Sequence, residues 1–393
     1  MKILHIAYEF PLPTIHGGRL DIWQHLCGFK SLKHSIFHIS WSDKEISNEN
    51  YYELKEKVED LIIINKNKGV KHLFLKLLYI FRYPSLVYDR IISKQDYQEI
   101  LTTVKEFDPT VIFLDVLYGG QLAIQLKEDL KIPLIVRSQN IEHIYIKQQL
   151  KNATTIKMKI ALSAALFGLK KYEFNILKKA NLVADISDSD LEFWKNNGIN
   201  HIKWLPPIIT APPILPQIEK KTDYKYDVTF FGNLNAPNNV DGIIWFVNNI
   251  LPILREKKDD MSVLLMGSNP SNEIINLISK NRFIELIPNV KNPAGYISLS
   301  KVLINPVRFG SGVKMKTIEM LFTDKQVVST SEGIKGLPRH LFEQIFFIAD
   351  TPEIFAKSIL KLVLNNEEKL ISDRTNLRDE FSISRLDNIL LNN

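Results

Sequence analysis

The sequence predicts an α/β chain made of two Rossmann-like, doubly wound domains, and three observations support this fold class. Its 393 residues suffice for two domains at roughly 100–200 residues each. Short β-branched or apolar runs alternate with longer segments of helical periodicity, which is typical of parallel sheets built from strand–helix–strand units. The alternation stops once, where five prolines fall between Pro206 and Pro216, and then resumes. The predicted divisions are a first domain over 1–205, a proline-rich linker over 206–222, a second domain over 223–375, and a C-terminal helix over 376–393 that packs back on the first domain.

Twelve strands are predicted from short apolar or β-branched runs bounded by turn residues. Those of the first domain are Ile3–Ala7, Ser35–Ser40, Leu61–Ile64, Val111–Leu114, Leu134–Val136 and Leu182–Asp185. Those of the second domain are Asp227–Phe231, Val263–Met266, Phe283–Leu286, Val302–Ile304, Gln326–Ser329 and Ile345–Ile348. Helical spacing of apolar residues predicts a helix from Asn239 to Lys257. Two such domains facing each other are expected to leave a central cleft at the carboxyl ends of both sheets, where ligands of open α/β folds bind.

Composition excludes several classes of protein. With Cys27 as the single cysteine, a disulfide scaffold is impossible, and a reducing, cytoplasmic location is expected. The apolar stretch at the N-terminus is too brief for a secretory signal. The longest charge-free apolar run, Ile160–Leu169, is half of the roughly 20 residues that a spanning helix needs. The nine histidines show no metal-binding spacing, so neither a metal site nor a cofactor is expected.

The net charge of +6 is concentrated in the first half of the chain, and two segments are strongly basic. Residues Lys66–Arg82 mix basic and apolar residues, and Lys147–Lys179 holds eight lysines against Glu173 alone. These segments are either solvated helix faces over an ordinary core or a face that meets an anionic membrane at the inner surface of the cell. The second interpretation is favoured, since each lysine near such a surface contributes about 1 kcal/mol. No nucleic-acid partner is expected, because nothing matches a known binding module.

The stretch from Asn305 to Glu319 reads NPVRFGSGVKMKTIE and combines a strand end, a glycine loop and a helix expected to begin near Val313. Glycines let backbone amides approach an anion, and a helix N-terminus favours negative charge. The predicted contacts to a diphosphate come from Arg308, Gly310, Ser311, Gly312 and Lys314. Glu319 would accept hydrogen bonds from ribose hydroxyls. The alternative is an ordinary glycine turn before a solvated helix.

This stretch resembles the donor-binding core of family-four glycosyltransferases with the GT-B fold, the type found in bacterial glycan or polysaccharide biosynthesis. The resemblance extends to the segments Lys325–Leu337 and Phe230–Phe246 and, more weakly, to Arg137–His143, Lys171–Leu177 and Ala184–Asp190. It implies a retaining, metal-independent hexosyltransferase. Such an enzyme moves a sugar from a nucleotide-diphosphate donor to a hydroxyl of a glycan or polyprenyl-diphosphate-linked acceptor. The nucleotide sugar is then a substrate rather than a cofactor.

The sequence also departs from the family pattern. Glu319 matches the second glutamate of the family's donor motif, whereas Ser311 stands where the first is expected. After Gly232 the family commonly has an arginine and a lysine, and this chain has Asn233 followed by Asn238 or Asn239. In the N-terminal loop, Gly17 and Gly18 match a glycine pair that approaches the donor phosphates in the family, where a side chain would hold the ligand off.

Four residues are candidates for acid–base or stabilising chemistry: Glu142, His143, Asp115 and His16. Each follows a predicted strand, so its side chain is expected near the carboxyl edge of the sheet, where Asp115 would contact acceptor or sugar hydroxyls. The alternative for each is a structural role, such as a cap at a strand end. Asp188-Ser-Asp190 resembles a metal-binding D-x-D, but Ser187 or Asp188 is better interpreted as a helix N-cap.

The sequence is also compatible with two other functions. A nucleotide-sugar epimerase would use the same two-domain scaffold without an acceptor. A non-catalytic sugar-nucleotide-binding partner subunit would explain the departures at Ser311 and Asn233.

Overall fold

The computed structural model describes residues 1–66, 82–209, 224–290, 293–310, 312–364 and 375–391, without the side chains of 375, 376 and 378. The chain forms two compact units: Met1–Thr210 with Asp379–Asn393, and Ala211–Arg378. Most of the basic segment Lys66–Arg82, most of the proline-rich linker, and Ser311 lie outside the described residues.

The first unit contains a parallel seven-stranded sheet in the order β3-β2-β1-β4-β5-β6-β7. Its strands are Lys2–Ala7 (β1), Ser35–Ser42 (β2), Asp60–Asn65 (β3), Val111–Asp115 (β4), Leu134–Ser138 (β5), Leu182–Asp185 (β6) and Ile202–Trp204 (β7). Its helices are Gly17–Ser31 (α1), Asn48–Lys55 (α2), Ser85–Tyr88 (α3), Lys94–Phe107 (α4), Gly120–Leu130 (α5), Glu142–Asn152 (α6), Ile156–Leu166 (α7), Leu169–Lys179 (α8) and Asp188–Asn196 (α9), with a 3₁₀ turn at Leu117–Gly119.

The second unit contains a parallel six-stranded sheet in the order β10-β9-β8-β11-β12-β13. Its strands are Tyr226–Phe231 (β8), Val263–Gly267 (β9), Ile284–Pro288 (β10), Ser300–Asn305 (β11), Gln326–Ser329 (β12) and Phe346–Ile348 (β13). Its helices are Pro237–Trp245 (α10), Leu251–Lys257 (α11), Asn272–Ser279 (α12), Ala294–Ser298 (α13), Met315–Leu321 (α14), Arg339–Phe342 (α15) and Pro352–Leu364 (α16). The last helices are Thr375–Glu380 (α17) and Ile383–Leu391 (α18).

The α/β class and the parallel sheets are confirmed, and the twelve predicted strands are all present with shifts of one or two residues at their ends. The thirteenth, β7, is not predicted because its middle residue is the exposed Lys203, so it lacks the apolar run that marks the other strands. The predicted helix Asn239–Lys257 is interrupted by a π-helical turn at Phe246–Ile250. Pro252 lacks the amide hydrogen that a continuous helix needs, and the Leu251 amide donates to the carbonyl of Phe246, five residues back.

Helix α1 and the C-terminal helix α18 pack on one face of the first sheet. Ile22, Leu26 and Phe29 of α1 share a hydrophobic core with β1 and β4, and this core also includes Leu386 and Leu390 of α18. Both helices present apolar residues three or four positions apart, the spacing that places them on one helix face. The C-terminal segment is therefore an integral part of the first unit.

A buried polar network lies between α1 and the sheet. The Asp115 carboxylate at the end of β4 pairs with His5 Nε2 at 2.7 Å and with His25 Nδ1 at 3.0 Å. His5 Nδ1 lies 2.8 Å from Nδ1 of His38. Burial opposes ionisation of Asp115, but His25 and His5 outweigh that effect and hold its pKa below the usual range. Because the neighbours stabilise the charged form, Asp115 is an ionised structural partner of two histidines.

The same helix is held to the next strand by an ion pair. Asp21 of α1 accepts two hydrogen bonds from the Arg137 guanidinium, from Nε at 3.0 Å and Nη2 at 3.1 Å. Gln139 Nε2 donates a third, at 3.0 Å. Both members of the pair are buried, and a buried charge is tolerated only when its partners are in place.

Replacing Asp115 with asparagine tests the network. Removing one member of a buried charge pair is expected to lower the unfolding free energy of the first unit by about 3 kcal/mol. Urea denaturation followed by tryptophan fluorescence suits this measurement, because four of the five tryptophans lie in this unit. Asp108→Asn, at an exposed left-handed position that asparagine tolerates well, is the control and is expected to be near neutral. Equal stability of Asp115→Asn and wild type would contradict the assignment.

Candidate functional site

The strand order of each sheet indicates where a ligand would bind. In the first sheet the order reverses between β1 and β4, and in the second between β8 and β11. Ligands of open parallel sheets bind beyond the carboxyl ends of the strands at such a switch point. The loops after β1 and β4, and those after β8 and β11, are therefore the candidate regions in the two units.

In the second unit, glycines allow the switch-point loops to approach closely. Gly232 follows β8 with φ of +150°, and Gly267 ends β9 with φ of +152°. A Cβ at Gly267 would lie 1.6 Å from the carbonyl oxygen of Gly232, so no side chain fits there. A Cβ at Gly242 of α10 would lie 2.5 Å from the carbonyl oxygen of Pro306. The loop that follows β11 is thus packed directly against α10.

Two lysines approach these glycines. Lys316 Nζ donates to Asn239 Oδ1 at 2.7 Å and lies 4.4 Å from the centre of the Phe230 ring. A Cβ at Gly232 would lie 3.5 Å from Lys316 Cδ. Burial, with a further contribution from the Lys314 charge, lowers the pKa of Lys316 to about 7. A bound anion beside this amine would favour its charged form.

Lys314 lies beside the glycine loop and is paired with a carboxylate. Its Nζ donates to Glu332 Oε1 at 3.0 Å, and only 8% of its side chain is exposed. A Cβ at Gly310 would lie 3.5 Å from Lys314 Cε and 3.6 Å from Asn238 Nδ2. Gly310 and Gly312 have φ of +143° and +63°, values that favour glycine. The structure therefore brings Gly310 and Lys314 together, with Gly232 and Lys316 next to them.

Other predicted donor residues are placed differently. Arg308, expected to neutralise a diphosphate, instead forms a two-point ion pair with Asp241 at 2.9 and 2.7 Å and lies over the Trp245 ring. The side chain of Asn233 accepts a hydrogen bond from the Asn235 amide at 2.9 Å and stabilises its own turn. Glu319 is exposed on α14. Ser311 lies outside the described residues.

The helix after the glycine loop also differs from the prediction. It begins at Met315 rather than near Val313 and has only seven residues. The expected contribution of a helix dipole to anion binding is therefore small, and the positive charge at this loop comes mainly from the lysine side chains.

In the first unit, the glycine pair begins α1 directly after the β1 loop. His16 occupies the N-cap, where its Nδ1 accepts from the Arg19 amide at 3.4 Å and its Nε2 lies 3.0 Å from Glu9 Oε1. A Cβ at Gly18 would lie 2.8 Å from Tyr8 Oη, whereas a Cβ at Gly17 would meet nothing within 4 Å. Contact with Tyr8 is thus sufficient to explain why residue 18 has no side chain. Gly17 borders open space, which leaves its backbone accessible to a ligand.

Glu9 beside this helix start is a strongly ionised carboxylate. Burial works against its charge, but hydrogen bonds from His16, Tyr8 and Arg19 lower its pKa to about 2. His16 and Arg19 are therefore already paired, and His16 has a local structural role at the start of α1.

Glu142 and His143 begin α6, where both contact buried polar groups. The Glu173 carboxylate accepts from the Glu142 amide at 2.7 Å and from the His143 amide at 3.3 Å, and it lies 2.5 Å from His143 Nδ1. Because a carboxylate only accepts, Nδ1 carries the hydrogen, and Nε2 of a neutral His143 is then an acceptor. Tyr118, in the turn after β4, donates to Glu142 Oε2 at 2.7 Å.

Burial, with repulsion from Glu173, raises the pKa of Glu142 from 4.5 to about 7. Glu142 and His143 thus lie together after β5, next to the turn that follows β4. There the structure combines a carboxyl group that titrates near neutrality with a histidine oriented by a carboxylate. Perturbed groups of this kind are candidates for proton transfer.

One prediction for the first unit needs correction, and a second is confirmed only in part. Asp115 is fully buried beneath α1, so it does not reach an acceptor or sugar hydroxyl, because its oxygens are bound by His5 and His25. Ser187 does hold the N-cap position of α9, but its side chain makes no capping hydrogen bond and instead contacts Ser189 Oγ at 3.0 Å.

No metal site is expected from the sequence, but one group of possible metal ligands occurs among the described residues. Oxygen and nitrogen atoms of Asp21, His25 and Asp115 lie within 4.8 Å of one another. The Asp21 carboxylate is bound by Arg137 and the Asp115 carboxylate by histidines, which favours a hydrogen-bonded network at this position.

Three residues have contacts in the structure that the sequence does not predict: Glu332, Glu173 and Tyr118. Glu332 and Glu173 are separated from their partners by 18 and 30 residues, and Tyr118 is separated from Glu142 by 24. The sequence gives only an indirect indication of these contacts. Glu332 and Tyr118 lie a few residues after predicted strands, and Glu173 lies in a helix rich in lysine.

Comparisons with known proteins support the fold and the family resemblance. Residues 225–365 match the family model described as Glycosyl transferases group 1, which confirms the resemblance for the second unit. A Klebsiella pneumoniae protein described as "Uncharacterized 44.6 kDa protein in cps region" is 26% identical over 373 residues, covering 93% of this chain and 91% of that protein.

Several solved structures that are similar to this chain are glycosyltransferases of the GT-B fold. Anabaena HepE, crystallised with UDP and glucose, superposes with a TM-score of 0.59 at 11% identity and covers 100% of this chain and 98% of its own. A glycosyltransferase from Rickettsia africae superposes with a TM-score of 0.65 at 13% identity, and the match covers 100% of this chain and 97% of that chain. S. aureus TarM superposes with a TM-score of 0.66 at 11% identity, and the match covers 100% of this chain and 98% of that chain. At these identities the likeness establishes the GT-B fold.

The raised pKa of Glu142 predicts the pH dependence of Glu142→Gln. As pH rises from 4.5 to 7, the unfolded chain loses this proton while the folded chain keeps it, so the wild type loses stability that the variant retains. The variant is expected to be more stable than wild type by about 3 kcal/mol at pH 8 and nearly equal to it near pH 4.5. Urea denaturation at the two pH values measures this difference. Glu106→Gln, at an exposed position, is the control, and a gain for Glu142→Gln that did not change with pH would refute the assignment.

Proposed function

We propose that this chain is a retaining glycosyltransferase that moves a hexosyl group from a nucleotide-diphosphate sugar to a hydroxyl of a glycan or lipid-linked acceptor. The observation that carries the proposal is the pair Lys314 and Lys316 beside Gly232 and Gly310, at the switch point of a unit that matches group 1 glycosyltransferases. Ligands of such sheets bind beyond the strand ends at this switch point, which supports the proposal.

The charge of the leaving group explains why lysines are needed. When the glycosidic bond to the donor breaks, negative charge develops on the diphosphate, and preorganised positive groups stabilise it. In the proposal, Lys314 and Lys316 supply that charge and the Gly310–Gly312 backbone amides approach the phosphate oxygens. Glu319, exposed on α14, accepts hydrogen bonds from the ribose. Since Arg308 is held by Asp241, it acts through the shape of the loop and not as a direct phosphate ligand.

The acceptor is proposed to bind the first unit. His143, with Nδ1 bound to Glu173, offers Nε2 as a proton acceptor or as a hydrogen-bond partner of a hydroxyl. Glu142 titrates near pH 7 and so can hold or release a proton under neutral conditions. Gly17 provides open backbone at the start of α1. The relative from a cps region supports a place in cell-surface polysaccharide biosynthesis.

Turnover with a panel of nucleotide sugars and acceptors tests the function. UDP-sugars are the first choice, since HepE was crystallised with UDP and glucose. We expect transfer with retained anomeric configuration, detected by NMR of the product, and unchanged turnover in EDTA, because side chains supply the positive charge. Sugar conversion without an acceptor would favour an epimerase. Nucleotide binding with no transfer to any acceptor would favour a non-catalytic partner subunit, to which the missing glutamate at Ser311 lends support.

Lys314→Ala is expected to weaken UDP binding about 30-fold, the loss that a hydrogen bond to a charged group produces. Isothermal titration calorimetry measures the change, and Glu319→Ala is expected to weaken binding in the same direction. Lys335→Ala is the matched control, since Lys335 also contacts Glu332, at 3.4 Å, but is half exposed. If both Lys314→Ala and Glu319→Ala bind UDP as wild type does, the donor site is misplaced.

Glu332→Gln is expected to change UDP binding in the opposite direction to Lys314→Ala. Its carboxylate competes with a diphosphate for Lys314, so neutralising it is expected to tighten UDP binding by roughly fivefold. Weaker binding would mean that Glu332 is needed to position Lys314 and that the competition model is wrong.

A further inference from the structure

Helix α7, Ile156–Leu166, exposes apolar side chains that no described element covers. Ile156 is 78% exposed, Ile160 is 66% exposed and Met158 is 49% exposed. Ile156 and Ile160 are four residues apart, so they lie on one face of the helix. Isolated exposed apolar residues are ordinary, but adjacent ones on one helix face indicate an interaction surface.

The core does not require this exposed face. Ala165 is the buried residue of α7, and Leu162 and Leu166 pack partly against the first core cluster. At 3.6 residues per turn, Ala165 lies about 160° from the Ile156–Ile160 face. The helix is thus apolar on two opposite sides, and only one of them packs against the protein.

Lysines border the exposed face on both sides. Lys157 and Lys159 are exposed and project about 80° to either side of the isoleucine pair. Long lysine side chains can keep their charge in a polar layer while their methylene groups follow apolar surface. Four further exposed lysines lie on the neighbouring helices: Lys147 and Lys151 on α6, and Lys170 and Lys171 on α8.

No described carboxylate forms an ion pair with these six lysines. The single acidic residue between Lys147 and Lys179 is Glu173, which is fully buried and holds the start of α6. The one carboxylate of this stretch is thus kept away from the surface. A positive rim around exposed isoleucines is complementary to a surface that is both anionic and apolar.

We propose that the face of α7 formed by Ile156, Lys157, Lys159 and Ile160 docks the chain on an anionic lipid bilayer, with the isoleucines inserted among the lipids and the lysines at the headgroups. Interfacial helices bind in this way, through a modest apolar insertion and attraction to anionic lipid. A second copy of the chain would bring another set of unpaired lysines against the first, and the like charges would repel.

Vesicle co-sedimentation of the full chain tests the proposal. Wild type is expected to bind vesicles of phosphatidylcholine containing about a third phosphatidylglycerol, more weakly as salt is added, and to bind pure phosphatidylcholine poorly. Lys157→Gln/Lys159→Gln is expected to lower the partition coefficient about 30-fold. Ile156→Ser/Ile160→Ser is expected to lower it about tenfold or more.

Lys94→Gln/Lys105→Gln on α4 is the matched control, because it removes the same charge from another exposed helix and is expected to leave binding nearly unchanged. Equal loss in the control, or vesicle binding by the α7 variants equal to wild type, would overturn the proposal. So would failure of wild type to bind anionic vesicles, or lipid-free self-association that the isoleucine variant abolishes. Lipid binding is measured without nucleotide or acceptor, so its outcome is independent of the donor-site assignment.

Discussion

The first unit depends on a pair of charged contacts buried between α1 and its sheet. Asp115 is held by His5 and His25, and Asp21 is held by Arg137. Charges in such a position are costly unless each has its partner, so the contacts admit one placement of α1 over the strands. The start of α1, with Gly17 exposed and His16 at the N-cap, is thereby fixed beside the end of β1. An apolar interface would hold the helix as firmly but with less constraint on its position along the strands.

In the second unit, too, a charged side chain that is nearly buried is held by a partner of opposite charge. Lys314 is nearly buried and has Glu332 as its partner, so the cation is held in place before any ligand binds. A buried amine that contacts an amide oxygen and no carboxylate has a lowered pKa, as Lys316 illustrates: its Nζ donates to Asn239, and burial lowers its pKa to about 7. The carboxylate therefore holds the Lys314 amine in one place, and in the proposed enzyme it would compete with the anionic donor for this amine. Under the proposed function, this competition would suit a donor whose product must leave after the reaction and need not bind with maximal strength.

The sequence predicted the strands well because parallel strands buried on both faces appear as short apolar runs bounded by turns. It placed Asp115 correctly at the end of β4 but not its surroundings, since strand periodicity does not show that His5 and His25 face it from other elements. The glycine loop from Gly310 to Lys314 was recognisable because its glycines and the lysines that follow them are close together along the chain. Glu332 and Glu173 were not recognisable as partners, because contacts between loops that follow different strands depend on the strand order. That order was not readable from the pattern of elements.

A strained residue connects the buried network to the candidate chemistry of the first unit. Val116 directly follows Asp115 and has φ of +62°, a conformation that is unusual for a β-branched residue and costs of order 1–3 kcal/mol. Its amide donates to the carbonyl of Arg137 at 3.2 Å, so the strained turn is held to β5 beside both charged contacts. The turn leads into Tyr118, which donates to Glu142. Because the network holds both strands, it also fixes the turn that positions Tyr118, and the raised pKa of Glu142 depends on burial that this packing maintains.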